Sequence, residues 1–83
     1  MNETQAKMIV TLANVPNTDK NAYFLAAKLG KSYSAIYNYL KIMKINDQVS
    51  TIKSGKKTFY VVNEGILELA EGVLSKDVSR TFA

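Results

Sequence analysis

A chain of 83 residues has room for one domain around one modest hydrophobic core. With neither cysteine nor histidine it can build no disulfide, no zinc–thiolate centre and no imidazole general base. Net charge is +4, but eight of the eleven basic residues fall between Lys20 and Lys57, where Asp47 is the only acid, so that segment carries +7 against −3 elsewhere.

The first apolar segment covers residues 4–14. Ala6, Ile9, Leu12 and Ala13 share one helical face, with Met8 and Val10 on its flanks and Lys7, Thr11 and Asn14 opposite. Val15-Pro16-Asn17-Thr18-Asp19 then breaks the helix and supplies candidates to cap the next one. That second helix is expected over residues 20–29, with Ala22, Leu25, Ala26 and Leu29 as its stripe and Gly30 as a left-handed stop.

Ser32 or Ser34 can cap a third helix over residues 33–45. Ile36, Leu40 and Met43 point inward, and Tyr39 lies toward them. Ser34, Asn38, Lys41 and Ile45 lie opposite, with Tyr37 and Lys44 alongside. An ordinary solvated face mixes both signs of charge, whereas this one is cationic without a carboxylate.

Strands are expected over residues 49–53 and 58–63, both rich in Val, Ile, Thr, Phe and Tyr, joined by a hairpin at Ser54-Gly55-Lys56-Lys57. Phe59-Tyr60-Val61-Val62 is apolar on both faces, with Tyr60 and Val62 inward. The last helix is expected over residues 64–76, capped by Asn63 and frayed from Asp77 on. Glu64, Glu68, Glu71 and Ser75 form its polar face, and Ile66, Leu67, Leu69, Ala70, Val73 and Leu74 cover roughly half the cylinder.

The stretch Leu25-Ala26-Ala27-Lys28-Leu29-Gly30-Lys31-Ser32, followed by Ile36, Leu40, Met43 and Val49, resembles the core of winged helix-turn-helix regulators. Gly55 and Tyr60-Val61-Val62-Asn63 match that family's wing tip and strand ending. The resemblance covers residues 4–75 and departs from the family at Asp47-Gln48, where Gly-Leu is frequent; Asn46 or Asp47 can supply the left-handed turn there. It implies one α+β, mainly helical domain over residues 1–83, a three-helix core with a two-stranded wing and a C-terminal helix.

The resemblance further implies a sequence-specific transcription regulator of double-stranded DNA, with the third helix in the major groove. Lys31, Ser32, Tyr33, Ser34, Tyr37, Asn38, Lys41 and Lys44 would then lie against bases and phosphates. Lys53, Lys56 and Lys57 would hold the flanking backbone from the wing, although lysines there also protect a strand edge from pairing. Tyr23, nearly opposite its helix's stripe, could touch phosphate.

A homodimer is expected, because a domain this small struggles to bury all its apolar surface. Leu67, Leu74 and Val78 fall within about 40° of one another on the last helix and are the expected seam, with Phe82 beyond and Phe59 and Val61 as the next candidates. No catalytic spacing of base and orienting group is present, and no enzymatic activity, metal or cofactor is expected. No apolar run approaches the ~18 residues of a membrane span and no leader pattern opens the chain, which predicts a cytoplasmic protein. Two rival readings share the fold: a protein-interaction module and a non-specific architectural DNA binder.

Overall fold

A computed structural model describes the backbone of residues 1–82 and the side chains of residues 1–75. The elements run α1 (Glu3–Asn14), a 3-10 turn (Asn17–Asp19), α2 (Ala22–Leu29), α3 (Tyr33–Ile45), β1 (Val49–Ser54), β2 (Lys57–Val62) and α4 (Ile66–Phe82). This is the expected α+β, mainly helical architecture, with β1 and β2 forming a two-stranded antiparallel wing. Val78 and Phe82, expected at a dimer seam, lie outside the described side chains.

Local chemistry fixes the helix starts. Asn2 opens α1 through a capping box: its side chain accepts from the Gln5 N–H at 2.8 Å, and Gln5 Oε1 accepts from the Asn2 N–H at 3.0 Å. The second helix begins later than its periodicity suggests, at Ala22 rather than residue 20. Asn21 takes the cap by accepting from the Phe24 N–H at 2.8 Å, while the Lys20 carbonyl accepts from the Tyr60 N–H at 2.8 Å. Thr18 and Asp19 are thus not the cap; Asp19 belongs to the 3-10 turn and Thr18 O accepts from the Asn21 amide. Of the two candidate serines, Ser32 caps α3, accepting from the Ala35 N–H at 3.2 Å.

Both corners of the helix-turn-helix and wing close with left-handed residues. Gly30, at φ +64°, ends α2, and the Lys31 N–H reaches the Ala26 carbonyl at 3.0 Å. After α3, Asp47 takes φ +57°, and the Gln48 N–H reaches the Met43 carbonyl at 2.9 Å. The departure from the family's glycine is therefore accommodated by an aspartate, a residue that tolerates this region.

A Cβ at Gly30 would meet nothing within 4 Å, so the cost of Gly30→Ala is conformational alone. It is expected to destabilise the fold by about 1–2 kcal/mol. Gly72→Ala, within α4 and equally free of clashes, is expected to stabilise by about 0.5–1 kcal/mol. Opposite shifts of the urea midpoint check the pair.

The core is drawn from every layer. Met8, Ile9 and Leu12 of α1, Leu25 of α2, Ile36, Leu40 and Met43 of α3, and Val49 of β1 are fully buried, and Ala70 joins them from α4. Met8, expected on a flank, is buried because α1 packs on α4, β2 and α2 together. Tyr39, Tyr60 and Val62 pack against this core as expected.

Three features of the C-terminal part differ from expectation. Asn63 does not cap α4 with its side chain. Its amide instead donates to the Asp47 carbonyl at 2.7 Å and its oxygen accepts from the Ser50 hydroxyl at 2.6 Å, tying the end of the wing to the corner after α3. Gly65, at φ +82°, then delays the helix to Ile66. Finally, α4 continues through Phe82, where fraying from Asp77 was expected.

Candidate nucleic-acid interface

Helix α3 is held by its inner row, Ile36, Leu40 and Met43, all fully buried. That anchoring leaves Ser34, Tyr37, Asn38, Lys41 and Lys44 exposed. The wing is held by its own inner row. Val49 pairs with Val62 and Thr51 with Tyr60, while Lys53 pairs with Thr58 further out toward the tip. Gly55 takes φ +63° and Lys56 does not share a positive φ, the pattern of a two-residue turn with glycine first. Lys57 therefore belongs to β2, paired with Ser54, rather than to the turn.

Between α3 and the wing lies an open cleft of about 720 Å³. Seven of the expected site residues line it: Tyr33, Tyr37, Lys41 and Lys44 from α3, and Lys53, Lys56 and Lys57 from the wing. The others do not line it. Lys31, Ser34 and Asn38 are exposed elsewhere on the helix-turn-helix, and the Ser32 hydroxyl is engaged as the α3 cap.

Electrostatics favour an anion in this cleft. No aspartate or glutamate lines it. Among the described residues the ion pair is Lys7–Glu3, at 3.2 Å on α1, so no lysine from Lys20 to Lys57 is paired with a described carboxylate. Five unpaired ammonium groups on facing elements attract phosphate and repel one another, and both effects favour binding a polyanion.

Tyr23, named from sequence only for a phosphate contact, proves to be part of an aromatic stack. Its ring lies 4.4 Å from that of Tyr33 at 26°, and Tyr33 lies 6.0 Å from Tyr37 at 20°. Partial desolvation, then the neighbouring Tyr23 and Tyr37 phenols, raise the Tyr33 phenol above its ordinary value. Burial does the same for Tyr60, on the cleft's floor. Both phenols are therefore neutral hydrogen-bond donors at physiological pH. The i, i+4 spacing of Tyr33 and Tyr37 was visible in the sequence; Tyr23 joins them only through the packing of α2 on α3.

Two residues of the expected dimer seam have described side chains. Leu67 and Leu74 are half-buried against the chain's own core, whereas Leu69 of α4 is 60% exposed.

No protein-family model and no curated protein matches the chain. Solved structures do. A point mutant of Lactococcus lactis ZitR superposes with a TM-score of 0.75 at 18% identity, over 95% of this chain and 56% of that one. The adhesin competence repressor AdcR of Streptococcus pyogenes gives 0.68 at 20% identity, over 94% and 58%. The zinc-dependent MarR-family transcriptional regulator AdcR in its Zn(II)-bound state gives 0.69 at 19%, over 100% and 63%. The chain thus spans 56–63% of the length of these structures.

Cysteine and histidine are absent, and among the described residues no group of three His, Cys, Asp or Glu side chains could hold a metal ion. What the chain shares with these structures is the winged helix-turn-helix fold.

Proposed function

We propose that this chain binds double-stranded DNA as a transcription regulator, with α3 in the major groove and the wing on the flanking backbone. The observation that carries the reading is the cleft whose two walls, α3 and the wing, present Lys41, Lys44, Lys53, Lys56 and Lys57 without a lining carboxylate. The description of AdcR as a transcriptional regulator supports it. The role is binding, not catalysis: occupancy of a site would exclude or recruit polymerase. The test is affinity for the chain's own upstream DNA and for random duplex. A large preference for one sequence supports a regulator, equal affinity for all makes it an architectural binder, and no duplex affinity leaves a protein-interaction module.

Within this reading Asn38 contacts a base. It is exposed on α3, outside the cleft, one turn beyond Ser34. Asn38→Ala is expected to cost about 1–3 kcal/mol at its cognate base pair and little on random DNA. A binding-site selection with both proteins checks this, since a backbone contact would weaken all sequences equally.

The regulator is proposed to act as a homodimer, supported by the apolar side chain of Leu69 on α4, which is 60% exposed. Leu69→Lys is expected to shift sedimentation toward monomer with the fold intact. Leu67→Lys with Leu74→Lys is expected to unfold the domain, because those side chains pack against its core. Circular dichroism separates the two outcomes.

A further inference from the structure

The stacked tyrosines serve no packing purpose that burial would reveal. Tyr23 is 72% exposed, Tyr33 41% and Tyr37 43%. Their hydroxyls can serve a duplex backbone as donors, but their exposed aromatic faces cannot. Base pairs within a duplex already cover their faces on one another, so these rings have nothing to stack on there. Unpaired bases do offer free faces, and strands that carry them are bound by a cationic groove combined with aromatic platforms.

Both parts meet here in one place. Tyr23, Tyr33 and Tyr37 line the same cleft as Lys53, Lys56 and Lys57. Among the described residues no further aromatic ring stacks on Tyr23 or Tyr37, the two ends of the ladder. The volume of about 720 Å³ lies within the range of about 300–1,000 Å³ typical of sites that enclose a small ligand. It is large enough to take a few nucleotides.

We infer that the cleft between the recognition helix and the wing is a site for single-stranded nucleic acid, whose unpaired bases stack on the Tyr23–Tyr33–Tyr37 ladder while the wing lysines hold the phosphates. This deepens the nucleic-acid reading and rests on it. A strand in the cleft would occupy lysines that the duplex also needs, so the two ligands compete.

The test compares labelled eight-nucleotide probes at one salt concentration: oligothymidylate, oligouridylate, an abasic strand of equal charge, and a random duplex. Stacking is expected to make at least one base-bearing strand about tenfold tighter than the abasic strand. The tighter of the two identifies the preferred sugar. Tyr23→Ala with Tyr33→Ala should abolish that ratio, and Tyr23→Phe with Tyr33→Phe should keep it, because phenylalanine retains the ring face. Equal affinity for abasic and base-bearing strands would overturn the inference, as would equal losses in the Phe and Ala variants. The wild-type comparison decides even if the Ala variant does not fold. Duplex binding without a base-dependent gain sinks this inference alone; no binding to any probe sinks the nucleic-acid reading with it.

Discussion

Replacing Lys53, Lys56 and Lys57 together by alanine is expected to weaken duplex binding by roughly a hundredfold or more at 0.1 M salt, and to lower the salt slope by up to about 2.7. Each ammonium that neutralises a phosphate releases about 0.9 of a condensed counterion, so the slope counts contacts directly. The three lysines line one wall of the cleft, are exposed, and lack a described carboxylate partner. Their removal therefore costs little stability, and the loss should fall equally on specific and random duplex. Titrations at several salt concentrations measure it. A normal slope in the triple variant would take the wing out of the interface and leave its lysines as guards of the strand edge.

Leu40→Ala is expected to destabilise the fold strongly. Leu40 is fully buried on the inner row of α3 and also lines the floor of the cleft, so it links the core to the binding surface. Truncating such a leucine costs about 2–5 kcal/mol. At about 0.05–0.15 kcal/mol per residue, a domain of this size has only roughly 4–12 kcal/mol in total. The melting temperature should fall by about 10–30 °C, since each kcal/mol moves a small domain by about 4–8 °C. Thermal denaturation followed by circular dichroism checks the value. A fall of only a few degrees would mean that α3 is anchored elsewhere, and the account of how its outer face is aimed would need revision.

Much of this was legible because amphipathic periodicity and turn chemistry are local. The stripes of α1 and α3, the stop at Gly30, the positive φ at Gly55 and the inward pair Tyr60 and Val62 all follow from short-range rules. The misjudged features depend on partners distant in sequence. Asn63 has the composition of a cap, yet Asp47 and Ser50 engage its side chain. Asn21 displaces Thr18 and Asp19 as the α2 cap where the Lys20 carbonyl is drawn to β2. That Leu67 and Leu74 pack partly against the chain's own core is likewise tertiary, because a helical wheel shows the width of a stripe but not what covers it.

The site divides in the same way. The charge asymmetry named the lysines of both walls before their positions were known, because clustering of one sign is visible in the chain itself. That they face one another across a cleft is a tertiary fact. So is the aromatic ladder, whose first ring comes from a different helix than the other two.

The central claim is that α3 and the wing bind duplex DNA through their unpaired lysines. The measurement that tests it most directly is the affinity of the wild-type chain for its own upstream duplex and for a random duplex between about 50 and 200 mM salt, with log K plotted against log salt. The account predicts a straight line falling with a slope of about −4 to −5 per bound domain for the random duplex, close to −0.9 for each of the five cleft lysines. It also predicts tighter binding to one specific sequence throughout. A slope near zero, or no measurable affinity for any duplex at 50 mM salt, would contradict it.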